Sequence, residues 1–104
     1  MGSGFLEPVY RECLEIELRK RNIPALSQPV LELEYSGHKL DQTFKPDLIC
    51  HDAIILELKA VDHLADSHRS QVLNYLNATR FQLGLLINFG HFPKLEWERI
   101  VLSK

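Results

Sequence analysis

Ala53-Ile54-Ile55-Leu56-Glu57-Leu58-Lys59-Ala60 decides the fold of this chain. Its four leading apolar residues have to be buried, and the stretch reads as a strand. Side chains along a strand alternate between faces, so Glu57 and Lys59 point the same way. An acid and an amine therefore leave one face of a strand that otherwise looks like core. Two such charges are costly there unless they are paired or hold a metal. Upstream stands Pro46-Asp47, and an aspartate on a neighbouring strand can complete such a site.

On the N-terminal side, His51-Asp52 is a tight turn that links this strand to an earlier one, about 39–50, interrupted or bent near Pro46. Before that, Val30, Glu32 and Glu34 alternate with Leu31, Leu33 and Tyr35, a strand over about 28–36 with one wet face. Ser36-Gly37-His38 marks the hairpin between these two. Residues about 6–22 read as a helix, with Leu6, Val9, Tyr10, Cys13, Leu14 and Leu18 at helical spacing. Pro8 is tolerated in a first turn, which places the start near Leu6. Arg19, Lys20 and Arg21 suit the negative end of the helix dipole, and Asn22 and Pro24 stop it.

On the C-terminal side, Asp66-Ser67 can cap a second helix, about 67–79. Phe81 to Asn88 is a further strand with a buried Leu83-Gly84-Leu85-Leu86-Ile87 centre, and Glu96 to Leu102 is the last. The strand after the second helix is reached by a crossover, so it is expected parallel to a neighbour and buried on both faces. The class is α/β, with a mixed central sheet flanked by helices, in one domain spanning 1–104.

Composition narrows the function classes. The chain has 104 residues, 45% apolar and 25% charged, as in an ordinary globular protein with one modest core. No apolar run approaches the ~20 residues that span a bilayer. No secretory signal is present, and Cys13 and Cys50 fit reduced, buried thiols, so a cytoplasmic location is expected. Two cysteines are too few for a four-cysteine iron–sulfur site. Twelve basic and fourteen acidic side chains leave a net charge of −2. Any nucleic-acid binding by a monomer should therefore be weak and salt-sensitive.

Glu57, Lys59 and Asp47 together carry the strongest chemical signal. If the strand of Asp47 turns directly into that of Glu57, antiparallel neighbours about 4.8 Å apart bring both carboxylates to one ion. Oxygen-only ligands suit Mg²⁺ or Mn²⁺ rather than zinc. Each residue also has a plainer reading: Asp47 as a turn residue after Pro46, Glu57 and Lys59 as an ion pair on a half-exposed strand. Glu7 opens the first helix, where a carboxylate suits the helix dipole; at the site it would be a further carboxylate, direct or through water. His68, Gln71 and Tyr75 share one face of the second helix. That stripe is either a packing face or the lining of a cleft, where Gln71 could orient a phosphate or a water. His38, His51, His63 and His91 lie in turns or loops without ligand spacing. There is no Gly-rich phosphate loop, zinc pattern or nucleophilic elbow.

These residues together resemble the PD-(D/E)xK nuclease superfamily, and more narrowly the small GxxExxY protein family. Gly4-Phe5-Leu6-Glu7-Pro8-Val9-Tyr10 matches the latter's name motif in full. Pro46-Asp47 and Glu57-Leu58-Lys59 match the superfamily signature, and Gln71-Val72-Leu73-Asn74-Tyr75 is similar to the Q-x-x-x-Y motif of RecB-type nucleases. The resemblance extends to Leu85-Leu86-Ile87-Asn88-Phe89-Gly90. It implies a restriction-endonuclease-like αβββαβ core and hydrolysis of DNA, with RNA or nucleotides left open. It also implies Asp47 and Glu57 as ligands of Mg²⁺ or Mn²⁺, Lys59 as the water-activating or charge-stabilising group, Glu7 as an accessory carboxylate, and Gln71, Tyr75 and His68 as site support. The rival class is a noncatalytic interaction module that keeps the fold. Members of the family usually carry a helical stretch before the G-x-x-E-x-x-Y motif. Here the motif follows Met1-Gly2-Ser3, so one face of the first helix is expected to be exposed, and a homodimer would cover it.

Overall fold

A computed structural model describes residues 3–90 and 94–102, with side chains from Glu7 onward. Helix α1 (Ser3–Lys20) leads into β1 (Ala25–Ser27), β2 (Leu31–Tyr35), β3 (His38–Phe44), β4 (Leu48–Cys50) and β5 (Ile54–Lys59). Helix α2 (Asp66–Ala78), β6 (Leu83–Asn88) and β7 (Glu96–Val101) follow. The fold is α/β, with helices against a mixed sheet ordered β1-β4-β5-β6-β7. The crossover through α2 makes β5 and β6 parallel, as expected; the other pairs in this sheet are antiparallel.

Two features depart from the expectation. Strand β1, antiparallel to β4, was not foreseen: its three exposed residues show no alternation to read. And the expected long strand over 39–50 is two. Lys45-Pro46-Asp47 breaks it, because proline cannot donate to a ladder. β3 consequently pairs with β2 in a separate ribbon while β4 joins the main sheet. Both turns are of the mirror-image kind that matches strand twist. Ser36 and Gly37 adopt φ of 50° and 77°, and His51 and Asp52 both adopt 53°. In the ribbon Leu33 is buried and Leu31 half-buried, but Tyr35 is 73% exposed because it lies at the ribbon's tip.

Helix α1 begins at Ser3, so Pro8 lies inside it rather than in its first turn. The missing N–H costs one bond close to the helix start. The C-terminus is a Schellman motif. Asn22 turns left-handed at φ 57°, its N–H donates to the Arg19 carbonyl, and the Ile23 N–H donates to the Leu18 carbonyl at 2.9 Å. Leu14 and Leu18 pack on Leu48, Cys50 and Leu56. Val9 is 51% exposed and Cys13 is exposed too, so the wide apolar stripe read from sequence points only partly at the sheet, and Cys13 is not a buried thiol. On the opposite sheet face, Val72 and Leu76 of α2 meet Ile55, Leu86 and Ile100. Gly84 allows this approach: a Cβ there would stand 2.9 Å from Val72 Cγ1. Asp66 is the first residue of α2 rather than its cap. The cap position is Ala65, whose N–H is taken by His68 Nδ1 at 2.9 Å. Among the described residues, no helix is long and apolar enough to cross a membrane.

Candidate active site

The break at Pro46 sets Asp47 at the head of β4. Strand β4 pairs with β5 as Leu48↔Leu56, Ile49↔Ile55 and Cys50↔Ile54. Continuing that register by one residue puts Asp47 opposite Glu57, on the sheet face they share with Ile49 and Ile55. Asp47 is anchored there: its Oδ2 accepts the Leu58 N–H at 2.8 Å, and its carbonyl accepts the Gln28 N–H at 3.0 Å. The expected antiparallel pairing of the two strands is present, and Asp47 lies near enough to Glu57 for its charge to act on it.

Glu57 is the unusual member. Its Oε1 is buried and has no hydrogen-bond partner. Burial is the main force pushing its pKa up to about 8, and the neighbouring charge of Asp47 adds to it. The Lys59 ammonium and the Asp47 backbone N–H oppose the rise, and Glu7 contributes slightly in the upward direction. Asp47, Lys59 and Glu7 thus each act electrostatically on Glu57. Glu7 stays at that longer range: among the described residues, no three His, Cys, Asp or Glu side chains form a ready-made metal cage.

Arg11 was missed. It follows Glu7 by one helical turn, and its Nη1 lies 3.3 Å from Asp47 Oδ1. Its spacing from Glu7 was the available signal, since residues four apart share a helix face. Tyr10 stacks on Phe89 at 4.6 Å between ring centroids, tying the motif end of α1 to the end of β6.

The α2 stripe divides. His68, half-buried, is occupied at Nδ1 by the Ala65 N–H. Tyr75 stacks on Phe44 of the ribbon, with centroids 3.6 Å apart and rings 4° from parallel. Gln71 is exposed. His38, His51 and His63 are exposed, and His91 lies outside the described residues.

Asn88, level with Lys59 in the parallel register, is fully buried. Its Nδ2 donates to the Val61 carbonyl at 2.9 Å and to Glu96 Oε1 at 3.0 Å. Its Oδ1 accepts the N–H groups of Val61 and Gly90 at 2.9 and 3.0 Å. This network pins the chain just beyond Lys59, and Gly90 is part of it because a Cβ there would collide with the Val61 carbonyl. Asn88→Ala strands the Val61 N–H, the Val61 carbonyl and the Gly90 N–H, while Glu96 Oε1 keeps the Leu64 N–H, and is expected to cost about 2–4 kcal/mol, read from urea unfolding.

A model of the PD-(D/E)XK nuclease superfamily matches residues 1–100. The chain belongs to this superfamily. No curated relative matches the sequence. Among solved structures, SSO0001 gives a TM-score of 0.70 at 19% identity, covering 97% of this chain and 52% of that one. An alkaline exonuclease from Laribacter hongkongensis (LHK-Exo) gives 0.67 at 14%, covering 97% and 57%. The chain spans little more than half the length of either, and at these identities the likeness establishes the fold. PD-(D/E)XK nucleases generally use divalent metal ions. Asp47 and Glu57 fit such an ion: they offer oxygen donors side by side, and Glu57 Oε1 is a buried acceptor without a donor.

Proposed function

We propose that this chain is a metal-dependent nuclease that hydrolyses DNA phosphodiester bonds. The observation that carries the reading is the buried, unpartnered Glu57 Oε1 facing Asp47 across the β4–β5 pair. Asp47 and Glu57 would hold Mg²⁺ or Mn²⁺, with Glu7 contributing through water. When bound, the ion would supply Lewis acidity for phosphodiester hydrolysis. Lys59, on the same strand face as Glu57, positions the attacking water and stabilises charge developing at phosphorus. As a ligand Glu57 would have to be deprotonated, so burial, which favours its protonated form, would set a pH dependence on loading. Gln71, exposed on α2, would orient a phosphate or a water, with His68 and Tyr75 on the same helix as support. The Gly4 to Tyr10 motif further assigns the chain to the GxxExxY family, acting in the cytoplasm.

A noncatalytic nuclease-fold module is the second reading, favoured by the missing three-ligand cage among the described residues and the net charge of −2. Calorimetric titration with Mn²⁺ separates the two. Saturable binding that disappears in Glu57→Ala is expected; no binding to the wild-type protein would favour the module.

A further inference from the structure

A protein cation, Arg11, stands beside Asp47. The two side chains are only 19% and 17% exposed, so their attraction is poorly screened. Asp47 Oδ2 accepts the Leu58 N–H, a backbone bond that holds the carboxylate in place, while the partner of Oδ1 is a side chain that can move away. Arg11 Nη1 sits against that oxygen at 3.3 Å. A cation bound at Oδ1 would meet the guanidinium's fixed charge, and Arg11 cannot lose its proton to relieve the clash. Its long side chain can withdraw while the helix backbone stays packed on β5.

We propose that Arg11 is an exchangeable counter-ion: it neutralises Asp47 in the metal-free protein and leaves Oδ1 when a divalent cation binds. The proposal rests on the reading of Asp47 and Glu57 as the metal ligands. Arg11 is a positioning residue. It offsets the charge of Asp47 beside the second carboxylate, and in doing so it weakens the metal's hold.

The test is Mn²⁺ calorimetry on the full chain, comparing wild type, Arg11→Gln, Arg11→Lys and Asp47→Asn. Removing the competitor is expected to lower the Kd for Mn²⁺ about tenfold in Arg11→Gln, the equivalent of about 1.4 kcal/mol. Arg11→Lys keeps the charge and stays near the wild-type Kd. A purely structural role for Arg11 predicts an unchanged or weaker Kd in Arg11→Gln, and that result overturns the proposal. Absent or Asp47-independent Mn²⁺ binding by the wild type overturns the metal assignment itself, a distinguishable failure. Should Arg11→Gln not fold, the wild-type protein decides by NMR. The Arg11 Nε–Hε resonance, assigned by its loss in Arg11→Lys, is expected to move on Mg²⁺ titration; an unmoved signal under saturating Mg²⁺ overturns the exchange.

Discussion

Asp47→Asn is expected to lower metal-dependent DNA cleavage by at least about 10³-fold, the scale of losing a key electrostatic group at a reacting centre. The change is nearly isosteric. An amide oxygen can still accept the Leu58 N–H that Oδ2 accepts now, so the head of β4 keeps its anchor. What disappears is the anionic charge opposite Glu57 and the partner of Arg11. Because the pair is largely buried, leaving Arg11 without its counter-charge costs more than a surface pair would, about 1–3 kcal/mol, so the fold should survive with a clear drop in Tm. Cleavage rates and thermal unfolding measured on the same preparation check both halves. Near wild-type cleavage by a folded Asp47→Asn protein would remove Asp47 from the site.

The second large effect is on stability and runs through Glu57. Its carboxyl is pushed to about 8 in the folded chain from an ordinary value of 4.5. Between those values the folded state binds a proton that the unfolded state has released, so stability falls as pH rises. The slope approaches 1.4 kcal/mol per pH unit, and the full loss is on the order of several kcal/mol. The stabilising contribution is complete below pH 4.5 and gone above about 8. In EDTA, the urea midpoint of the wild-type protein should therefore drop from pH 5 to pH 8.5. Glu57→Gln cannot ionise, so its midpoint should fall less over that range and exceed the wild-type value at pH 8.5. Parallel pH curves for the two proteins would mean that Glu57 is not held protonated by its surroundings. The same shift predicts that metal loading at pH 7 releases a proton, seen as a dependence of the calorimetric heat on the buffer's ionisation enthalpy.

The strand of Glu57 and Lys59 was legible because an apolar run carrying charges two apart admits one alternation. The crossover to β6 followed from the helix between two apolar strands. The antiparallel return from β4 to β5 followed from the His51-Asp52 turn signal, but its register did not: a two-residue loop would set Asp47 against Leu56, and the three-residue loop 51–53 sets it against Glu57. Other features were not legible for equally physical reasons. Strand β1 is held by the backbone ladder to β4, and its side chains are exposed. An interruption or bend at Pro46 was legible, but not that the two halves would join different sheets. In α1 the apolar stripe is wider than the contact, and only packing shows that Leu14 and Leu18 face inward while Val9 and Cys13 do not. The same limit hid Arg11 and the Asn88 network, since both join segments far apart in sequence. Tyr75 and His68 share a helix face with Gln71, but one stacks on Phe44 and the other caps its own helix.

Cleavage of supercoiled, linear and single-stranded DNA with Mg²⁺ or Mn²⁺ is the most direct test, run beside an EDTA control and an identically prepared Lys59→Ala protein. Metal-dependent cutting by the wild type that is lost in Lys59→Ala is the expected result. Cutting that persists in Lys59→Ala, or in EDTA, would contradict a metal-dependent nuclease centred on Asp47, Glu57 and Lys59.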